Sequence, residues 1–162
     1  MVSKKGFGLI EIVVAAAIVS ISLFALINAS KASFQAIDAS LMQKRAEFLS
    51  EEGVEALKIM RDSGWTANIS SLSSGTTYYP RFDASTNSWS LSTTDPGAID
   101  GIFTRTITLS GVYRRNSDQD NVDVSSSDPK TIDAGTKLIT SSVTWEGKEA
   151  EIMTYLTNIF QN

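Results

Sequence analysis

Apolar residues run almost without interruption from Phe7 to Ile27, and the only charge among them is Glu11. At about 1.5 Å per residue, a helix of that length covers roughly 30 Å, the hydrocarbon thickness of a bilayer. Past Asn28 the pattern changes character without a break. No proline occurs between Ala29 and Asp62, the only glycine there is Gly53, and Met42, Ala46, Leu49, Gly53, Ala56 and Met60 alternate spacings of four and three. That period marks the apolar stripe of an amphipathic helix, with Lys44, Glu47, Glu51, Glu55 and Lys58 falling between. One helix from Phe7 to near Asp62 is predicted, stopped by Asp62-Ser63-Gly64 with Gly64 just past its end. The small residues Ala46, Gly53 and Ala56 would let a sheet sit close. The stripe spans less than three heptads, and a coiled coil stays open as an alternative.

After Trp65 the chain turns to Ser, Thr, Asn, Asp and Gly with scattered aromatics, the composition of short strands and turns. Thr66 to Ser74 reads as an irregular connection. Strands are expected at Thr76 to Phe82 and Ser88 to Ser92 around the turn-prone Asp83 to Asn87, and Pro96-Gly97 marks another turn. Phe103, Arg105, Ile107 and Leu109 alternate with Thr104, Thr106, Thr108 and Ser110, giving one mostly apolar face. Gly111 marks a bulge, because Val112-Tyr113 resumes out of phase. Lys137 to Trp145 and Ala150 to Thr157 flank Glu146-Gly147-Lys148 as a hairpin. Ile139, Val143 and Trp145 are expected on one face of it, and Ile152, Thr154 and Leu156 likewise. The chain is thus α+β: a long N-terminal α-helix, with a transmembrane half (7–28) and an amphipathic half (29–64), packed on a C-terminal antiparallel β-sheet (65–162).

Composition narrows the chemistry. The 162 residues include no cysteine and no histidine, which removes disulfides, thiolate and imidazole metal ligands, and nucleophile–base pairs built on either. Serines cluster at Ser70 to Ser74 and Ser125 to Ser127, but a serine nucleophile needs a base and an oriented partner. Glu51 and Glu52 are adjacent on a helix and point about 100° apart, which fits a solvated or inter-subunit charged face better than paired acid–base work. No enzyme and no cofactor are expected. The net charge is −4, and without Lys4 and Lys5 it is −4 − 2 = −6. From Trp65 onward seven Lys/Arg face eleven Asp/Glu. Phosphate binding needs concentrated positive charge, so no direct nucleic acid contact is expected.

A carboxylate inside hydrocarbon costs at least a few kcal/mol and needs a partner. A secretory signal has a shorter apolar core and a small-residue cleavage site after it, and a plain anchor oriented by Lys4 and Lys5 leaves Gly6 and Glu11 without a role. The stretch KKGFGLIEIVVAAAIVS resembles the class III leader of the type IV pilin and pseudopilin superfamily. In it Lys4 and Lys5 supply the basic leader (1–6), Gly6 the residue before the cut, Phe7 the new N-terminus and Glu11 the family's glutamate. The resemblance implies that a prepilin peptidase cleaves between Gly6 and Phe7 and N-methylates the Phe7 amine. Glu11 would then meet the Phe7 amine of a neighbouring subunit, two charges tolerable as a pair that also fix axial register. Ala15-Ala16-Ala17, Ser20 and Ser22 suit close helix approach in such a core or simply lipid.

AEFLSEEGVEALKIMRDSGW (Ala46 to Trp65) is similar to PilV-type minor pilins and the pseudopilin-I group, as is the order FTRTITLSGVYR, SSVTWEG, MTYLTN. The resemblance implies the pilin fold and a structural subunit of a type IV pilus or type II secretion filament. Its partners would be prepilin peptidase, other pilin subunits, the inner-membrane platform with its assembly ATPase, and the lipid bilayer. It implies a single pass through the cytoplasmic membrane with the C-terminal domain outside the cytoplasm, followed by the filament. An adhesin or DNA-uptake pseudopilin acting through the β-domain is the alternative. Glu11 argues against the tip-most pseudopilin class, which typically lacks it. The chain departs from many pilins in having no cysteine pair and no proline at Asn28. The loop from Val112 to Gly135 must therefore be held by packing or move freely. Some pseudopilins bind calcium in a C-terminal loop, and Asn116, Asp118 and Asp120 sit at alternate positions. An EF-hand loop would continue with Gly and end with Glu where Asn121 and Ser127 stand, and an exposed acidic loop is the favoured expectation.

Overall fold

The computed structural model describes residues 8–160. A single α-helix, α1 (Leu9–Ser63), is followed by β1 (Thr77–Asp83), β2 (Ser88–Ser92), β3 (Thr104–Arg115), β4 (Asn121–Val122), β5 (Lys130–Trp145) and β6 (Lys148–Thr157). The strands form one antiparallel sheet in the order β2-β1-β3-β5-β6, with β4 beside the far end of β3. The architecture is α+β, a long helix packed on an antiparallel sheet.

The chain divides into two compact units after Met42. In the first, the described helix residues are exposed as far as Leu41, and Met42 is half-buried. The second holds the rest of α1, which buries Ala46, Leu49, Ser50, Gly53, Val54, Ala56, Leu57 and Met60. This stripe is wider than the periodicity predicts, adding Ser50, Val54 and Leu57, while Met42 stays at its margin. Val54, Leu57 and Met60 pack with Trp65, Ile69, Tyr78, Ile107, Leu109, Ile139 and Leu156 into one core. At Gly53 helix and sheet are in close contact: a Cβ there would collide with Ser141 Oγ and sit 3.3 Å from Arg105 Cδ. Beside it Ser50 Oγ donates to the Ser141 carbonyl at 2.7 Å.

The helix ends where Asp62-Ser63-Gly64 predicts, although Gly64 has a φ of +155° and not the left-handed helical value. A single π-helical turn, Thr66–Ser70, replaces the expected irregular connection. Asn68 Nδ2 from this turn donates to the Met60 carbonyl at 3.0 Å, satisfying an acceptor that the helix end leaves open.

Along β3 the buried positions are Arg105, Ile107 and Leu109, then Val112, with the register against β5 shifting between Gly111 and Val112. The phase change is the bulge that the pattern predicts. The β5–β6 hairpin closes on Glu146-Gly147, both at positive φ (47° and 75°), a tight two-residue turn of the kind that matches strand twist. Ile139, Val143 and Trp145 face the core, as do Ala150 and Leu156, with Ile152 and Thr154 half-buried on the same side. The segment from Val112 to Gly135 departs from the expected loop. Val112 to Arg115 pair with Lys130 to Asp133, and Asn121-Val122 add β4 at Tyr113-Arg114, so much of it is sheet.

Candidate functional site

The features that carry chemistry lie at three places, beginning with the start of α1. Gly8 precedes the first turn, and its carbonyl accepts from the Glu11 and Ile12 N–H groups at 3.0 and 3.4 Å. The Glu11 side chain reaches back, and its Oε2 accepts from the Gly8 N–H at 3.1 Å. This is the return half of a capping box, with a negative group placed where the helix dipole favours one. Lys4, Lys5, Gly6 and Phe7 lie outside the described residues.

From Leu9 through Ile27 every described side chain is exposed, and none of this apolar surface is covered by the chain itself. The helix is long and apolar enough to cross a membrane. Its hydroxyls are satisfied internally: Ser20 Oγ donates to the Ala16 carbonyl at 2.8 Å and Ser22 Oγ to that of Ile18 at 2.9 Å. Such back-bonded serines enter hydrocarbon cheaply. Glu11 is different, because among the described residues one amide hydrogen bond leaves most of its acceptor capacity and its charge without a partner.

The second place is the connection between β3 and β5, which carries Asn116, Asp118 and Asp120. Asp118 Oδ1 accepts from the Asp120 N–H at 3.1 Å, and its other oxygen takes Arg115 Nη1 at 2.7 Å. These two interactions hold the Asp118 carboxyl below its usual range. Arg115 Nε also donates to Asp128 Oδ2 at 2.9 Å, and Asn116 Oδ1 accepts from Thr131 Oγ1 at 2.8 Å. Asp118 and Asp128 thus converge on a guanidinium, and no group of three or more His, Cys, Asp or Glu side chains placed to hold a metal occurs among the described residues. Nearby, the Lys130 ammonium donates to the carbonyls of Val124 and Ser126 and lies 5.7 Å from the Tyr113 ring centre. Nothing in the residue spacing announces that lysine.

The third place is a buried charge under the helix. The Arg105 side chain is 7% exposed, against 48% for its ion-pair partner Glu52. Arg105 Nη1 donates to Glu52 Oε2 at 2.7 Å and to the Leu49 carbonyl at 3.2 Å, and the guanidinium lies 5.5 Å from the centre of the Trp89 ring. Its Nε has no hydrogen-bond partner. The alternation along β3 puts Arg105 on the apolar face and the helix pattern puts Glu52 on a charged one, and neither pattern joins the two. The signal was an arginine among Phe103, Ile107 and Leu109, since a charge in such a row demands an answering acid. Glu51 is exposed and does not share this pairing.

The chain matches no family model, no curated protein and no solved structure.

Proposed function

We propose that this chain is a pilin-like structural subunit, a minor pilin or pseudopilin that assembles through its N-terminal helix. One observation carries it: an uncovered apolar helix long enough for a bilayer bears a carboxylate in its first turn, and that carboxylate's partner among the described residues is a single backbone N–H. A membrane anchor gains nothing from such a charge. A subunit whose neighbour brings a cation to it gains both tolerance of the charge and a fixed register.

In this scheme prepilin peptidase removes residues 1–6, and the freed amine of Phe7 becomes the cation. Glu11 of one subunit binds the amine of the next, and the folded β-domain is carried on the outside of the filament. Before assembly the protein sits in the cytoplasmic membrane as a single-pass precursor, from which the platform and its ATPase extract it.

Two measurements test this. Mass spectrometry of the protein from cells that express a prepilin peptidase should find Phe7 as a methylated N-terminus. Glu11→Ala should still insert and be cleaved, while its recovery in sheared filaments falls about a hundredfold, the order expected when a buried charge loses its partner. Normal assembly of Glu11→Ala would refute the proposal.

A further inference from the structure

β6 (Lys148–Thr157) is an edge of the sheet, paired with β5 on one side and with no other strand among the described residues. Its phase fixes which backbone groups are free. Trp145 and Lys148 close the two-residue turn Glu146-Gly147, a pair that exchanges both of its hydrogen bonds. Alternation from there gives the bonds to β5 to Lys148, Ala150, Ile152, Thr154 and Leu156. The Asn158 N–H, which donates to the Gly135 carbonyl at 2.8 Å, continues the same phase past the end of the strand. The N–H and C=O groups of Glu149, Glu151, Met153 and Tyr155 therefore point away from the sheet. Their side chains stand on its outer face, opposite to the core: both acids are exposed, and Met153 and Tyr155 are 62% and 53% exposed.

The two edges of the sheet differ. β2 is five residues long and alternates serine with Trp89 and Leu91, a short edge that offers little to pair with. β6 has ten residues in unbroken register with β5, with no proline and no bulge. An edge of that length accepts an extended chain, whose main-chain bonds give affinity and whose alternate side chains give specificity. Glu149 and Glu151 act as its filter, because they repel an acidic strand and admit a basic one. Neither is in an ion pair among the described residues, and Glu149 accepts only from Ser142 Oγ. Their neighbours on β5 are Thr144 and Ser142, so no cation of that strand answers them.

We propose that β6 receives an extended segment of another protein as an added antiparallel strand, apolar opposite Tyr155 and Met153 and basic opposite Glu151 and Glu149. Antiparallel addition continues the pattern of the whole sheet. A second copy of β6 does not meet the requirement, since none of its four outward positions is basic and both acids would stay unanswered. This pairing rests on the β-domain alone and goes beyond the filament assembly proposed above, so a failed Glu11→Ala test leaves it standing.

The probe is a synthetic peptide with blocked ends that alternates threonine with valine, valine, lysine and lysine, in that order. Added to full-length protein in detergent, it should bind saturably and slow amide exchange at Glu149, Glu151, Met153 and Tyr155 about tenfold. Ala150, Ile152 and Thr154, already bonded to β5, should change little. The same peptide in reversed order should bind about tenfold more weakly. Glu149→Lys combined with Glu151→Lys should weaken binding about tenfold and admit a peptide with glutamate in place of lysine. Met153→Pro removes one outward N–H at a place where an edge strand tolerates proline, and it should abolish binding. No slowing at saturating peptide, equal slowing at inward and outward amides, or equal binding of the reversed peptide overturns the proposal. Slowing at the four outward amides that grows with protein concentration, without peptide, assigns the edge to a second copy and overturns it as well.

Discussion

Gly53 and Ser141 meet at a close approach of helix and sheet, and the energetics there are set by single atoms. A methyl group on residue 53 would run into Ser141 Oγ, a hydroxyl that has no hydrogen-bond partner of its own. Gly53→Ala gains about 1 kcal/mol of helix propensity but incurs overpacking of about 1–3 kcal/mol. Net destabilisation is expected, and adding Ser141→Ala should recover it by removing the obstructing oxygen. Urea unfolding of the four chains in detergent would read this as a non-additive cycle. Arg105 gives a second, sharper contrast. Glu52→Gln leaves a buried guanidinium short of its acid and should cost about 1–3 kcal/mol. Arg105→Met fills similar space without a charge and should be closer to neutral. Equal losses for the two would show that the pair matters only as packing.

At the scale of elements, what could be read in advance follows from periodicity. The stem helix was legible because a stripe repeated over many turns leaves little room for another structure, and its observed bounds lie within two residues of those expected. β2, the core face of β3 and the closing hairpin were legible for the same reason at a period of two. The outer end of β5 was not. Lys130, Thr131, Ile132 and Asp133 show no alternation of apolar and polar residues, and their pairing is supplied by the β3 bulge and by side chains. Arg114 Nε donates to Asp133 Oδ2 at 2.7 Å, and Asp133 Oδ1 accepts from the Gly135 N–H at 2.9 Å. Partial burial pushes the Asp133 carboxyl upward, but hydrogen bonds from Arg114, Thr136 and Gly135 together outweigh it and hold the group below its ordinary value of 3.8. A depressed folded-state value contributes stability that is present above the unfolded-state value and lost as pH falls through the folded one. The β3–β5 extension should therefore loosen below about pH 4, and Asp133→Asn should remove part of that acid dependence. Amide exchange of Val112 to Arg115 as a function of pH would show it.

At the scale of the whole molecule, the two units have opposite relations to water. Residues 43–162 contain the core, the sheet and all the ion pairs found among the described residues, while residues 8–41 are exposed throughout. A fragment of residues 43–162 should fold without detergent, run as a monomer on size exclusion and melt cooperatively; aggregation would mean that the stem protects the domain. The candidate site was legible only in part. Glu11 stood out because a charge in an apolar run has no innocent explanation, whereas its hydrogen bond to Gly8 is set by local backbone geometry that spacing does not encode. The join of Arg105 to Glu52 was hidden because it spans more than fifty residues of chain. Lys130 bears on how the connection between β3 and β5 keeps its shape. Many surface connections are stapled by a dissolved ion and slacken when it is scarce. Here the staple is tethered covalently to the polypeptide, an ammonium that dilution does not carry away.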